Sequence, residues 1–294
     1  MAVKHLALLV LINLSWGFNF IAGKWGTEQF GALTFSAVRF AMVLILLFPF
    51  LRMVPGQLGR ILLIGFLLGA CHYSIMFLAM SLAENISAVA VAAQLLVPFS
   101  TILAIVFLGE RIGVTRTSAI ALSFLGVVVL AFEPFGAEHT LSLVLTVLAA
   151  FAMAVAAILM RGLKSVGVFN LQAWIAIVST IVLSTLAMVF EPQQVRELSN
   201  HNWLSYWLPL YSAVGATIFG HGAFYWLLQR YPVNQVSPFI SLSTLFAVAF
   251  GITLLNDLMT LKIIIGSLLT IAGVTIIAIR NARDDVPSGQ RAPR

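Results

Sequence analysis

The sequence contains little charge. Of its 294 residues only 9% are charged, whereas 61% are hydrophobic. A water-soluble domain typically carries about 25% charged residues. The chain therefore cannot cover its surface with ionic groups, and lipid must be the solvent for most of that surface. A helix needs about 20 apolar residues to cross the hydrocarbon core, so ten crossings would leave no room for a soluble domain.

Several chemical groups are also missing. The single cysteine, Cys71, excludes an internal disulfide. We find no glycine-rich phosphate loop and no hydrolase motif, so we expect no ATP-driven pumping, no cofactor and no enzyme. We also expect no metal site. No Asp or Glu lies in the middle of an apolar run, although proton-driven carriers often place a carboxylate there. If protons are a partner, a histidine or the substrate must carry them.

What is present is a series of ten apolar runs separated by short breaker segments. The first run contains Asn13 and Asn19 and has no clean cleavage site, so we interpret it as a helix rather than a signal peptide. The runs are Leu6–Ala22, Leu33–Leu51, Ile61–Leu82, Ile86–Leu108, Val114–Phe132, Leu141–Met160, Phe169–Phe190, Tyr206–Gln229, Gln235–Leu255 and Leu261–Ile279. The pattern predicts an all-α integral membrane protein with ten transmembrane helices.

The basic residues favour one orientation of these helices. Twelve of the sixteen Lys and Arg residues fall on the side of the two termini. Three, Lys24, Arg196 and Lys262, fall on the other side, and Arg39 lies inside a run. The positive-inside rule then predicts that both termini are cytoplasmic, as in a multi-pass bacterial-type inner membrane protein. The net charge of +6 is explained by this bias, so we expect no nucleic-acid partner.

The two halves of the chain resemble each other at a nearly constant offset. Glu110 and Asp257 are 147 residues apart, as are Gly126 and Gly273. At an offset of 149, His72 matches His221 and Asn85 matches Asn234. We interpret residues 1–137 and 138–281 as five-helix repeats and residues 282–294 as a disordered cytoplasmic tail. Because five is odd, the second repeat is inverted, and inverted repeats place substrate sites in a central cavity near the midplane.

Short motifs in the first half, together with the division into two five-helix halves, resemble the ten-helix drug/metabolite transporter superfamily, specifically its EamA-type branch. They are Trp16-Gly17-Phe18-Asn19-Phe20, Arg39-Phe40, Pro98 and Leu108-Gly109-Glu110-Arg111. The second half departs from the pattern, since it has Asn256-Asp257 in place of Gly-Glu, and Pro238 is displaced from the position that matches Pro98. The resemblance implies an inner-membrane carrier that works by alternating access, and bacterial members are commonly exporters of amino acids and related metabolites.

Arg39 is the only full charge away from the ends of a predicted span. Such a residue faces the protein interior or a wet cavity, where it could bind a substrate carboxylate. The alternatives are a tie to backbone carbonyl groups and snorkelling towards the surface. His72 and His221 could take part in a proton-coupled step, or each could bond a neighbouring helix. No carboxylate or thiolate cluster accompanies them, which argues against a metal site.

Other polar or amphipathic side chains in the runs could line the cavity or make ordinary bonds between helices. These candidates are Trp16, Asn19, Tyr73, Gln94, Trp174, Tyr225 and Ser241. Pro98 and Pro238 are candidate hinges or static helix breaks. Gly65 and Gly69 predict close helix packing, within the chain or between chains.

The sequence therefore predicts a secondary transporter that moves a small metabolite across the cytoplasmic membrane, and the resemblance implies that this metabolite is an amino acid or derivative and that it is exported. Its expected partners are the lipid bilayer and a small-molecule substrate, with the proton open as a coupling ion. Multidrug efflux is the first alternative, although a cationic drug would need the buried acid that is missing. A non-transporting membrane protein and an intramembrane enzyme are the others.

Overall fold

The computed structural model describes residues 2–110, 112–133, 136–231 and 233–284, without the side chains at 233–234, 237–238 and 282–284. All ten predicted runs are helical in this part of the chain. The helices are α1 (Val3–Phe30), α2 (Ala32–Leu47), α3 (Leu58–Leu82), α4 (Ile86–Leu108), α5 (Val114–Ala131), α6 (Ala137–Arg161), α7 (Val168–Phe190), α8 (207–228), α9 (Phe239–Leu254) and α10 (Leu261–Asp284). Among the described residues, eight helices are long and apolar enough to cross a membrane, and α9 is a shorter apolar helix. The described residues contain no strand, so the prediction of an all-α integral membrane protein is confirmed.

Two helix ends differ from the sequence prediction by five residues or more. α1 runs eight residues beyond Ala22, because Lys24 and Glu28 form an ion pair at 3.2 Å one turn apart and the helix ends only at Gly31, whose φ is +81°. α10 continues to Asp284, three residues into the predicted tail. No Gly or Pro interrupts the helix there. The rest of that predicted tail, residues 285–294, lies outside the described residues.

The helix contacts follow the same plan in both halves. α5 packs along α10, and α2 packs along α7. α1 packs on α9 and α8 of the second half, and its counterpart α6 packs on α4 and α3 of the first half. Exchanging the two halves converts the contacts of α1 into those of α6. The same exchange converts the α5–α10 contact and the α2–α7 contact each into itself.

The crossing of α5 and α10 shows this exchange residue by residue. A Cβ added at Gly126 would collide with Thr270 and Gly266, and one added at Gly273 would collide with Ser123 and Ala119. Thr270 and Gly266 lie 147 residues after Ser123 and Ala119. The two glycines therefore make equivalent close approaches to the facing helix.

α3 and α8 each contain a π-helical segment at matching positions. The segments are Gly65–His72 in α3 and Ser212–His221 in α8. Both end at the histidines that are 149 residues apart. In α3, Gly65 and Gly69 pack against Val178 and Ser179 of α7, so these glycines serve a contact within the chain. π-helical turns are rare and are frequent at functional sites.

The equivalent helices α4 and α9 are both irregular. α4 is interrupted at Gln94 and Leu95, four and three residues before the buried Pro98. Because Pro98 has no N–H to donate to the Gln94 carbonyl, that carbonyl accepts instead from Val97 N at 3.0 Å. The counterpart region begins with the 3-10 segment Ser237–Ser241, where Pro238 occupies the first turn. The side chain of Pro238 lies outside the described part of the structure.

Two carboxylates connect the halves at one end of the bundle, which we call the distal face because it lies opposite the termini. Glu191, at the end of α7, accepts bonds from Leu33 N at 3.0 Å and from Thr34 N at 2.8 Å. Asp257, after α9, accepts from Ser87 N at 2.7 Å and from Ser87 Oγ at 2.6 Å. Each acid thereby satisfies free N–H groups at the start of a first-half helix, where the helix dipole also favours negative charge.

Candidate functional site

Arg39 lies at the midpoint of α2 and is only 1% exposed. Its Nη2 donates a hydrogen bond to Thr217 Oγ1 of α8 at 2.7 Å. The guanidinium carbon stands 4.2 Å from the centre of the Tyr73 ring, and the rings of Phe40 and Phe77 lie within 5.5 Å. Aromatic faces attract a desolvated cation, and these contacts hold the charge at mid-depth in the bundle.

The hydrogen-bonding capacity of Arg39 is largely unused. Its Nε and Nη1 atoms are buried and have no hydrogen-bond partner in the described part of the chain. Among the same residues no carboxylate forms an ion pair with Arg39. The structure therefore shows neither the tie to backbone carbonyls nor the snorkelling that the sequence left open for this arginine.

α1 and α8 supply a second group of polar side chains beside Arg39. Trp16 Nε1 donates to the Ala216 carbonyl at 3.0 Å, and Asn19 Oδ1 accepts from Ser212 Oγ at 2.7 Å. Thr217 Oγ1 in turn donates to the Ser212 carbonyl at 3.1 Å. A chain of hydrogen bonds therefore connects α1 to Arg39 through the π-helical segment of α8.

The two matching histidines contact aromatic rings beside these polar groups. His72 Nδ1 is 2.8 Å from the Ala149 carbonyl of α6, and its ring is 4.7 Å from the ring of Tyr73. The His221 ring centre is 5.4 Å from that of Trp16. In the part of the chain that the structure describes, no three His, Cys, Asp or Glu side chains are grouped as metal ligands.

The structure thus brings together six of the ten predicted site residues. We call them, with two hydroxyl residues of α8, the central polar cluster. Its members are Trp16, Asn19, Arg39, His72, Tyr73, His221, Ser212 and Thr217. The sequence analysis missed Ser212 and Thr217, because a hydroxyl residue in an apolar run more often bonds the preceding turn of its own helix. The available signal for Ser212 and Thr217 was that their segment, which ends at His221, matches the segment that ends at His72.

The other four predicted site residues lie elsewhere. Gln94 Nε2 donates to Thr244 Oγ1 where α4 meets α9, and Ser241 is half-buried at the start of α9. Trp174 Nε1 donates to the Arg52 carbonyl at 3.1 Å, at the end of the bundle that holds the N-terminus, which we call the terminal face. Tyr225 is 43% exposed near the same face.

Three described cavities open at the terminal face, with volumes of about 400, 570 and 430 Å³. The third lies between the start of α7 and the end of α8 and includes Phe169, Tyr225 and Trp226 in its walls. No member of the central polar cluster lines any of the three. Arg39, His72, Ser212 and Thr217 of the cluster are buried, while the carboxylates described above connect the helices at the distal face.

Comparison with known proteins places these features in a family. The sequence model of the "EamA-like transporter family" matches residues 4–132 and again residues 140–279. The chain is 25% identical over 284 residues to a "Probable amino-acid metabolite efflux pump" of Escherichia coli, which covers 94% of this chain and 95% of the relative. The namesake from Salmonella typhimurium is 26% identical over 284 residues, with the same coverage of each chain.

More distant comparisons agree with these matches. An "Uncharacterized transporter YoaV" of Bacillus subtilis is 21% identical over 283 residues, which are 92% of this chain and 96% of the relative. A solved structure titled "Crystal structure of protein" superposes with a TM-score of 0.63 at 14% identity, covering 97% of this chain and all of the other; this likeness shows the fold alone. Because the family model matches nearly the whole sequence, in two consecutive parts, the chain belongs to the EamA-like transporter family of membrane proteins.

Proposed function

We propose that this membrane transporter is a secondary carrier that exports an amino acid or a derivative by alternating access. The observation that carries the proposal is the central polar cluster. It lies near the middle of four long helices, and both halves of the chain contribute to it. Polar groups at membrane depth are costly, and they commonly mark a substrate path.

The two-part family match supports the inverted repeat on which alternating access would depend. The matched parts, 4–132 and 140–279, fall within the proposed repeats 1–137 and 138–281. The exchangeable contacts of α5 with α10 and of α1 and α6 with their neighbours agree with this division. In such a carrier the halves move against each other around a fixed site.

The proposed direction and orientation have separate support. The names of the relatives from Escherichia coli and Salmonella typhimurium support the export of an amino-acid metabolite. The twelve-to-three distribution of basic residues favours cytoplasmic termini, so the terminal face would be the cytoplasmic face. The three cavities would then open to the cytoplasm, and the carboxylates Glu191 and Asp257 would connect the helices at the outer face.

A transport assay tests the proposal. The purified protein is reconstituted into liposomes, and uptake of a labelled amino-acid panel is measured with and without a pH gradient. We expect saturable movement of one class of amino acid, and dependence on the gradient would implicate the histidines as proton sites. Protein-free liposomes give the background rate. No movement of any amino acid, in vesicles that contain folded protein, would refute the amino-acid assignment and favour other metabolites or drugs.

A further inference from the structure

The donors of Arg39 point to a specific ligand chemistry. A guanidinium has five N–H groups and accepts no hydrogen bond. In the described structure one hydrogen bond to Thr217 is formed, and Nε and Nη1, which carry three of the five hydrogens, have no partner. An unmade hydrogen bond of a buried charged group is costly. The side chain is 1% exposed, so water at the surface of the bundle does not offset this cost.

The surroundings of Arg39 explain why the unpaired state is tolerated. Tyr73, Phe40 and Phe77 present ring faces to the cation, but a ring face stabilises charge without accepting the in-plane N–H groups as an oxygen would. The neighbouring polar members, Thr217 and His221, are uncharged or share the positive sign when protonated. The cluster thus contains a positive charge, free donors and aromatic walls, and its described members include no acid.

We propose that Arg39 is the carboxylate-binding residue of the site, and that the carrier selects substrates with a carboxylate attached to an apolar or aromatic group. This inference rests on the proposed transport function and specifies how its substrate is recognised. Nε and Nη1 donate to the carboxylate, and the rings of Tyr73 and Phe77 contact the apolar part. A substrate ammonium meets only neutral acceptors such as Asn19 Oδ1, so the carboxylate dominates recognition.

Three related probes separate the two ends of an amino acid. L-phenylalanine has both charged groups, 3-phenylpropanoate lacks the ammonium group, and phenethylamine lacks the carboxylate. Competition with the labelled substrate is measured in proteoliposomes of the wild type, of Arg39→Gln and of Arg230→Gln. Arg230 is the matched control, because its guanidinium also stacks on an aromatic ring, at 3.7 Å from the Trp226 centroid, but it is exposed.

We expect both carboxylate-bearing probes to compete in the wild type and in Arg230→Gln, and phenethylamine not to compete. Arg39→Gln should weaken competition by the carboxylates at least about 30-fold, the size expected when one partner of a buried charge pair is removed. Unchanged competition by the carboxylates in Arg39→Gln would overturn the proposal. Equal competition by phenethylamine in the wild type would overturn it as well.

Thermal unfolding of the wild type in detergent supplies a test that does not need the variant to fold. Millimolar 3-phenylpropanoate should raise the melting temperature, and phenethylamine should not, because a ligand stabilises the state that binds it. Stabilisation by the amine alone would contradict the proposal. If 3-phenylpropanoate stabilises the protein but no amino acid is transported, the binding site is supported and the proposed transport function is refuted. If the wild type and Arg39→Gln transport amino acids equally well, the transport function is supported and the role of Arg39 is refuted.

Discussion

The carboxylate of Asp257 offers the most quantitative test of how the two halves are joined at the distal face. Its Oδ2 accepts from Ser87 N at 2.7 Å and from Ser87 Oγ at 2.6 Å, and its Oδ1 accepts from Ile86 N at 3.3 Å. Asp257→Asn keeps one acceptor oxygen but removes the other and the negative charge. Hydrogen bonds to charged groups contribute about 1.5–3 kcal/mol, so we expect a loss of about 2 kcal/mol of folding free energy.

This loss should be visible as a lower melting temperature of the detergent-solubilised protein. With about 2–4 °C for each kcal/mol in chains of this general size, the expected decrease is roughly 4–8 °C. Glu28→Gln is the matched control, because the Glu28 side chain is 52% exposed and, among the described residues, pairs with Lys24 alone. An exposed pair of this kind contributes under about 1 kcal/mol. A melting temperature of Asp257→Asn as high as that of Glu28→Gln would refute the reasoning.

Three further predictions test other parts of the structure. Gly126→Leu should destabilise the protein by several kcal/mol, because even a Cβ at this position collides with Thr270 across the α5–α10 crossing. The control in the same melting assay is Gly113→Leu, because a Cβ at Gly113 meets nothing within 4 Å. Thr217→Val should raise the substrate KM by about tenfold, because it removes the one hydrogen-bond partner that Arg39 has among the described residues; an unchanged KM would contradict this role. His72→Gln and His221→Gln should each abolish any dependence of transport on a pH gradient while substrate binding persists, and an intact dependence in both variants would exclude the histidines as proton sites.

The fold was largely predictable from the sequence, because apolar runs of about 20 residues have few other stable arrangements in a membrane. All ten runs are helices in the described part of the chain. The ends were less predictable, since polar residues such as Lys24 and Glu28 continue α1 by pairing with each other. The π-helical segments of α3 and α8 were not predicted, because an i to i+5 hydrogen-bond pattern has no distinct signature in an apolar sequence.

The candidate site was predictable only where a residue type is costly in lipid. Arg39 stood out for that reason, and the matching offset drew attention to His72 and His221. Trp174 and Tyr225 looked equivalent to Trp16 and Tyr73 in the sequence, yet they lie towards the terminal face. Aromatic residues with a polar tip suit both a wet cavity and a membrane boundary, and only the depth of each residue in the bundle separates these roles.

Counterflow tests most directly whether the central polar cluster serves a carrier. Proteoliposomes are loaded with unlabelled L-phenylalanine, or with the amino acid that the panel identifies, and diluted into a trace of the labelled compound. A carrier whose site is exposed to one face at a time exchanges label inward and produces a transient accumulation above equilibrium. We predict this overshoot for the wild type and its loss in Arg39→Gln. Passive equilibration without overshoot in folded wild-type protein would contradict alternating access at this cluster.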